Sequence, residues 1–213
     1  MDKNVNCVIY KRIERTIENL KINNMDAFYV KDDVQLIEKI SGLMNEGDTV
    51  SVGGSRTLFE TGVIEMLRDE EYNFLDRYKS GLTKEEIKEI YRKSFFADHY
   101  VTSTNALTED GELYNVDGTG NRTAAMIYGP DNVIVVVGIN KIVRNLDAAI
   151  ARNRNLAAPA NAKRLDRNTP CSSLGYCTDC SSSDRICNNY VLIRKQGQKG
   201  RIKVIIVGKE FGY

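Results

Sequence analysis

The chain has 213 residues, and its 30 lysines and arginines nearly balance 29 aspartates and glutamates, which gives a formal net charge of +1 at pH 7. This length can bury the core of one domain with an appendage, and the balanced charge excludes a global field that would draw the protein to nucleic acid or to an anionic membrane. The first residues lack the pattern of a signal peptide, and no apolar run approaches the ~18 residues that cross a bilayer, so we expect a soluble, cytoplasmic protein.

Hydrophobic periodicity predicts alternating helices and strands in the first half of the chain. Helices are predicted where apolar residues recur at helical spacing or follow the capping box of Thr83 and Glu86, and strands where short β-branched or aromatic runs occur. The predicted helices cover residues 11–23, 34–44, a segment after Thr57, and 83–96. The predicted strands cover residues 28–30, 49–52, 72–75 and 99–102.

The second half of the chain adds a hairpin to this alternation. Between Asn105 and Val116, the pair Asp110-Gly111 favours the positive φ of a tight turn. A long helix is expected over 145–165, although Pro159 should kink or break it. The predicted strands are a uniformly apolar central strand at 133–137 and a closing pair at 190–194 and 201–207, joined by a polar turn.

These elements predict one α/β domain over residues 1–213. We expect a Rossmann-like, mostly parallel sheet with helices on both faces, a β-hairpin insertion and a cysteine-rich loop, residues 170–188, near the C-terminus. A hydrolase is not favoured, because no serine lies in a nucleophile-elbow pattern and the single histidine, His99, leaves little material for a catalytic triad. We interpret His99 as structural or incidental.

The first glycine loop, Gly53-Gly54-Ser55-Arg56-Thr57, follows a predicted strand and opens a predicted helix. Ligands of α/β sheets bind at such places, where glycines expose backbone N–H groups, hydroxyls donate hydrogen bonds and an arginine can grip an anion. The alternative is that the glycines only make the turn and Ser55 caps the helix. The pattern is neither a dinucleotide fingerprint nor a nucleotide P-loop.

The second glycine loop, residues 117–122, begins with Asp117 and ends with Arg122. If the two loops meet, Asp117 could orient or deprotonate a hydroxyl while Arg122 holds an anionic group. Lys141, which follows the predicted central strand, and the pair Asp76-Arg77 are placed to reach the same crevice. The alternatives are an ordinary turn capped by Asp117 and solvated charges elsewhere.

Four of the five cysteines lie close together, with one Cys-x-x-Cys pair between two single cysteines: Cys171, Cys177, Cys180 and Cys187. In a reducing compartment such a group predicts metal ligands or redox thiols rather than structural disulfides. Structural zinc usually takes two close pairs, so we favour an iron–sulfur cluster and keep zinc as the alternative, although no standard ferredoxin spacing is matched. A surface loop of free or reversibly oxidised thiols remains open.

Residues 50–58, 97–122 and 133–143 together resemble the lactate-utilisation (LUD-domain) family, formerly DUF162, over nearly the whole chain. The resemblance implies the α/β fold of the ribose-5-phosphate isomerase, glucosamine-6-phosphate deaminase and CoA-transferase group, in which the first glycine turn binds an anion. It also implies a part in an iron–sulfur, flavin-free system that oxidises L-lactate to pyruvate. No CoA-transferase glutamate and no complete set of isomerase residues is found, and the cysteines lie outside the core that the group shares.

The resulting hypothesis is a component of a redox system for L-lactate or a related hydroxy acid, an oxidoreductase part whose own catalysis is left open. It binds a small anionic metabolite at both glycine loops, with Arg56, Arg122 and Lys141 neutralising the anion, and it would need an iron–sulfur partner subunit for electron flow. A non-redox isomerase or transferase of phosphorylated metabolites and an anion-sensing regulatory module are the alternatives. A homo-oligomer is left open.

Overall fold

The computed structural model describes residues 2–69 and 71–213, and its strands form a six-stranded sheet and a four-stranded sheet. The strands are β1 Asp26–Val30, β2 Thr49–Val52, β3 Asn73–Leu75, β4 His99–Ser103, β5 Ala106–Thr108, β6 Leu113–Asp117, β7 Asn132–Gly138, β8 Ile142–Val143, β9 Asn189–Ile193 and β10 Ile202–Val207. The α-helices are α1 Lys3–Ile22, α2 Asp33–Ser41, α3 Arg56–Glu60, α4 Val63–Asp69, α5 Lys84–Lys93, α6 Asn121–Tyr128, α7 Leu146–Arg152, α8 Ala158–Arg164 and α9 Pro170–Leu174.

The large sheet runs in the order β1-β10-β7-β4-β2-β3, and all its pairings are parallel. Its central strand β7 is buried on both faces, because Val133, Val135 and Val137 pack with α1 and α6 whereas Ile134 and Val136 pack with α2, α3 and α4. This uniform burial explains the continuous apolar sequence of β7. The predicted Rossmann-like sheet with helices on both faces is confirmed.

The small sheet runs β8-β5-β6-β9 and contains the predicted hairpin, in which β5 and β6 are antiparallel. Gly111 in its turn has φ +76°, and a Cβ there would lie 2.6 Å from the backbone nitrogen of Leu20 in α1. The turn therefore needs glycine both for its left-handed backbone and for its close approach to a helix. The hairpin is more than an insertion, because it is half of a second sheet.

The strands predicted at 190–194 and 201–207 are present as β9 and β10. The prediction that they pair with each other is wrong. β9 pairs antiparallel with β6 in the small sheet, whereas β10 lies between β1 and β7 in the large one. Five of the six residues of β10 are buried. A strand that is apolar on both faces belongs inside a parallel sheet, and that preference overrides the short connection.

The helices differ from the prediction at positions where a glycine, a proline or an N-cap residue sets the boundary of a helix. The helix expected at 11–23 already begins at Lys3, because Asp2 accepts hydrogen bonds from the N–H groups of Asn4 and Val5. The segment after Thr57 divides into α3 and α4 at Gly62, which has φ +73°. The long helix at 145–165 is interrupted by a π-helical turn, Asn153–Ala157, directly before Pro159 in the first turn of α8, where proline is tolerated.

Along the residues that the structure describes, no helix combines the length and the apolar character that crossing a membrane requires.

Candidate functional site

A cavity of about 330 Å³ lies at the carboxyl edge of the large sheet. The first glycine loop follows β2, Ser103 ends β4, and Lys141 ends the short 3₁₀ turn Ile139–Lys141 that follows β7. All three segments contribute to the wall of the cavity. Parallel strands bring their carboxyl ends to one edge, so residues far apart in the sequence meet there.

The two glycine loops face each other across this cavity. Its lining includes Gly54, Ser55 and Arg56 from the first loop and Asp117, Gly118, Thr119, Asn121 and Arg122 from the second. Gly53 lies where the loops touch, since a Cβ at this position would contact the Thr102 hydroxyl and come within 3.0 Å of Cγ of Arg122. The structure therefore brings the loops together, which the sequence could not show.

The first glycine loop caps a short helix. The Ser55 hydroxyl accepts a hydrogen bond from the N–H of Leu58 at 3.4 Å, and Arg56 pairs with Glu60 at 2.9 Å. Because α3 has only five residues, its dipole is small. An anion here would have to be held by side chains rather than by the helix.

Lys141 is buried, with 3% of its surface exposed. Its amine nitrogen Nζ donates to Oγ1 of Thr57 at 2.7 Å and to Oγ of Ser103 at 3.0 Å. Burial, together with the positive charges of Arg152 and Arg122, lowers the pKa of Lys141 to about 7. An amine with this pKa is partly neutral near pH 7, unlike an ordinary lysine.

Arg122 and Asp117 are tied into the second glycine loop. The two terminal nitrogens of Arg122 donate four hydrogen bonds, to the carbonyl oxygens of Ser103 and Val116 and to the side-chain oxygens of Asn105 and Asn115. The carboxylate of Asp117 accepts from the N–H groups of Gly120 and Thr123 at 3.2 and 3.1 Å. Both residues shape the loop, and their catalytic roles stay predictions.

Positive charge dominates the cavity. Among its described lining residues there are six cationic side chains, from Arg56, Arg77, Arg122, Lys141, Arg164 and Arg167, and one carboxylate, from Asp117. Such a wall lowers the energy of an anion that has left water.

Arg77 is held in place by aromatic rings. It donates a hydrogen bond to the Tyr91 hydroxyl, and its guanidinium lies 4.5 Å from the ring centre of Tyr91 and 5.3 Å from that of Tyr78. It also lies beside Gly54, where a Cβ would be 3.5 Å from Nη1. Its neighbour Asp76 pairs with Arg68 at 2.9 Å and is not a lining residue. Of this predicted pair, Arg77 alone reaches the cavity.

Several lining residues were not found by sequence reasoning: Tyr91, Ser103, Arg164, Arg167 and Tyr213. Ser103 could have been found, because it directly follows the strand predicted at 99–102, at the same edge as the first glycine loop. Arg164 and Tyr213 reach the cavity through tertiary packing that no local pattern encodes. His99 begins β4 at the opposite edge of the sheet, where its Nε2 lies 3.0 Å from the carboxylate of Asp48.

The four clustered cysteines are free, with Cys171 and Cys187 buried and Cys177 and Cys180 partly exposed. Burial raises the pKa of the Cys187 thiol; Arg185 opposes this rise, and the other three thiols add to it. The sulfurs of Cys171, Cys177 and Cys180 therefore lie within electrostatic reach of Cys187. However, in residues 2–69 and 71–213 no group of three or more His, Cys, Asp or Glu side chains is arranged to hold a metal ion.

The cysteine-rich loop is anchored to the second glycine loop. Nδ2 of Asn188 donates to the carbonyl oxygen of Gly118 at 3.1 Å, and the N–H of Asn188 donates to the carbonyl oxygen of Asp117 at 3.1 Å. Ile186 lines the cavity, and its carbonyl oxygen would lie 3.3 Å from a Cβ at Gly118. The loop thus supports one wall of the cavity.

Comparison with protein-family models identifies a family. The family model described as the LUD domain matches residues 13–207. A crystal structure of a DUF162 family protein from Deinococcus radiodurans is similar at 16% identity, with 94% of this chain and 97% of that chain covered and a TM-score of 0.49.

Two further crystal structures, both from Chaetomium thermophilum, are similar over part of the chain. eIF2B beta shares 14% identity over 54% of this chain and 40% of that one, with a TM-score of 0.37. eIF2B delta shares 20% identity over 56% and 50%, with a TM-score of 0.38. No curated protein gives a significant match.

Proposed function

This chain belongs to the LUD-domain family, and on that premise we propose that it binds a small anionic metabolite of lactate or related hydroxy-acid metabolism in the cavity between its two glycine loops. The observation that carries the proposal is the charge of the cavity, whose described wall has five arginines and Lys141 against one acidic side chain, Asp117. An empty site with this excess of positive charge is destabilised by mutual repulsion, and a bound carboxylate or phosphate relieves it.

The size of the cavity supports a small ligand. Its volume of about 330 Å³ is at the lower end of the roughly 300–1,000 Å³ found for metabolite sites. The lining offers hydroxyls and amides as well as charges, from Ser55, Ser103, Asn105 and Thr119. These groups suit a hydroxy or oxo acid, which carries an oxygen substituent beside its carboxylate.

Arg77 is the cation that we assign to the carboxylate of the ligand. Arg122 already gives four hydrogen bonds to the protein, and Arg56 is paired with Glu60. In contrast, Arg77 is fixed by Tyr91 and Tyr78 and has no carboxylate partner among the described ion pairs. An ordered guanidinium beside the first glycine loop binds a carboxylate without first losing side-chain entropy.

Calorimetric titration with L-lactate, pyruvate and ribose 5-phosphate tests this proposal. We expect binding of at least one of the two carboxylates, and we expect Arg77→Gln to weaken it roughly tenfold or more, because a charge-assisted hydrogen bond contributes about 1.5–3 kcal/mol. Arg92→Gln, at an exposed site on α5 outside the cavity, is the matched control and should bind as the unmodified protein does. Binding of ribose 5-phosphate alone would instead favour an isomerase or transferase.

The redox role is a separate proposal that concerns the cysteine-rich loop. Thiols are suitable donors for an iron–sulfur cluster, or for zinc as the alternative, and the electrostatic influence of the other three thiols on Cys187 supports a shared centre. Because no three of them converge as a ligand set in the described structure, none of the ligand-binding chemistry proposed here depends on a cluster. A cluster would supply one-electron transfer to an iron–sulfur partner subunit.

Iron, acid-labile sulfide and zinc analysis of protein purified without oxygen tests the redox proposal. We expect iron and sulfide in comparable amounts, which Cys177→Ser should remove and Cys7→Ser should not, since Cys7 is exposed on α1 far along the sequence from the loop. Zinc without iron would leave a structural metal. If the protein contains neither metal, the loop holds four free thiols, and the proposed redox role is wrong.

A further inference from the structure

The amine of Lys141 differs from every ordinary surface lysine in its surroundings. Its two hydrogen-bond partners are hydroxyls, those of Thr57 and Ser103. In the described structure no carboxylate forms an ion pair with it, and Glu60 is the one carboxylate that acts on it from a distance. Yet Lys141 is one of the residues that line the cavity in which we place the ligand.

The charged groups around this amine come from several elements. Arg152 lies on α7 and Arg122 on α6, and both repel a protonated amine; Glu60 on α3 attracts it and has the smallest influence. Arg152 donates to the carbonyl oxygens of Asn140 and Asn105, which holds its positive charge close. Desolvation combined with neighbouring cations is the environment that makes a lysine nucleophilic at neutral pH.

We propose that Lys141 is a nucleophile that forms an imine with the carbonyl carbon of a small 2-oxo acid whose carboxylate is held by the cationic wall of the cavity. This inference rests on the proposed function and deepens it, because it names the ligand class and gives one residue a covalent role. Different groups serve recognition and reactivity, because Arg77 is assigned to the carboxylate of the ligand whereas burial and the charges of Arg152 and Arg122 favour the neutral amine.

The reaction balances without an external oxidant or reductant. The lone pair of the neutral Nζ adds to the carbonyl carbon, a carbon–nitrogen bond forms, and the carbonyl oxygen takes up a proton. The carbinolamine then loses water as its carbon–oxygen bond breaks. In total, one amine, one 2-oxo acid and one proton give one protonated imine and one water. The hydroxyls of Thr57 and Ser103 lie within hydrogen-bond distance of Nζ and can relay the protons.

A glycine near the amine leaves room for this chemistry. Gly212 has φ +60°, and a Cβ there would contact the Thr57 hydroxyl and lie 3.3 Å from Nζ of Lys141. The backbone of this segment is fixed, since the N–H of Gly212 donates to Glu60 at 2.6 Å and its carbonyl oxygen accepts from Asn140 at 3.0 Å. Glycine at this position therefore keeps the space beside Nζ of Lys141 free of a side chain.

Reductive trapping of the unmodified protein tests the inference directly. The protein is incubated at pH 7 with pyruvate and cyanoborohydride, and the modified peptides are identified by mass spectrometry. We expect labelling of Lys141 to exceed that of exposed Lys88 by roughly a hundredfold, because lysines of ordinary pKa are almost fully protonated at this pH. Acetone, which has the carbonyl but no carboxylate, should label Lys141 much less.

Variants and binding data separate failure of the inference from failure of the proposed function. Lys141→Met should abolish trapping while Lys88→Met leaves it unchanged, and circular dichroism confirms that each variant is folded. Should Lys141→Met fail to fold, the peptide map of the unmodified protein still decides. Pyruvate that binds in calorimetry without labelling Lys141 would overturn the imine and leave the anion site standing. The absence of both binding and labelling would overturn both proposals, and equal labelling by acetone would overturn the role of the carboxylate.

Discussion

The cavity and the cysteine-rich loop lie side by side, but they differ in how far the protein itself already holds their functional groups in place. The polar groups of the cavity wall are already engaged, as in the four hydrogen bonds of Arg122 and the two of Lys141. The four thiols next to it interact only at a distance and form no ligand set in the described structure. The cavity is therefore preorganised by the fold, whereas a metal centre in the loop would have to be assembled by its metal.

The largest effect that would test this contrast concerns the protonation of Lys141. Because its pKa is lowered to about 7 in the folded protein from 10.5, the unfolded chain binds more protons between these values, and stability rises with pH through this window. Lys141→Met removes this dependence. We expect the free energy of unfolding of the variant, relative to the unmodified protein, to fall by on the order of 4 kcal/mol between about pH 6 and pH 10.

Urea unfolding of both proteins at several pH values measures this difference. Titration of other groups contributes to both proteins alike, so the comparison isolates Lys141. A difference that stays constant from pH 6 to pH 10 would show that the amine is not buried as described, and the nucleophile inference would lose its electrostatic basis.

A second test compares glycines from the two regions. Gly53→Ala should cost about 1–3 kcal/mol of stability, because the new Cβ would contact Thr102 and press on Arg122. Gly175→Ala in the cysteine-rich loop has no atom within 4 Å of the new Cβ but keeps a backbone of φ +80°, so strain of about 1 kcal/mol is expected. Thermal unfolding of the two variants gives both values. A larger loss at Gly175 would reverse the contrast.

The smallest effect concerns the link between the regions. Asn188→Ala removes the hydrogen bond to the Gly118 carbonyl oxygen and should weaken anion binding by about 1 kcal/mol or less, through looser positioning of the second glycine loop. Asn168→Ala, at an exposed residue just before the loop, is the control. Equal affinities for both variants, measured by calorimetry, would mean that the loop does not support the cavity.

A further test of this comparison concerns the order of the cysteine-rich loop with and without metal. If the cysteine-rich loop is completed by a cluster, loading with iron and sulfide should slow proteolysis within residues 170–188 and leave the rest of the digestion pattern unchanged. Limited proteolysis of the protein before and after loading provides the measurement. An unchanged digestion pattern after loading would mean that the metal does not order the loop.

Local patterns predicted most of the fold. The apolar runs of β2 and β7, the capping box of α5 and the Asp110-Gly111 hairpin turn are each determined by neighbouring residues, and all are confirmed. The pairing of β9 and β10 was wrong because sheet membership depends on which partner buries both faces of a strand, and that partner is far away in the sequence.

The sequence predicted which loops could form the candidate site, but not the hydrogen bonds and free charges of its side chains. Strand ends identified the two glycine loops and Lys141, because the carboxyl edge of a parallel sheet follows from local elements. The hydroxyl environment of Lys141 and the hydrogen bonds that occupy Arg122 depend on contacts between distant segments. Such contacts also determine which charged side chains are free to meet a ligand.

The position of β10 has a consequence for how the protein is made. β1, near the start of the chain, pairs in the large sheet with β10, as in Asp26 opposite Lys203. During synthesis on the ribosome, β1 cannot join the sheet until residues 202–207 have emerged. The apolar face of α1, with Ile13 and Leu20, must wait as well, since it packs on that side of the sheet. Nascent chains should therefore expose this helix until β10 has emerged from the ribosome.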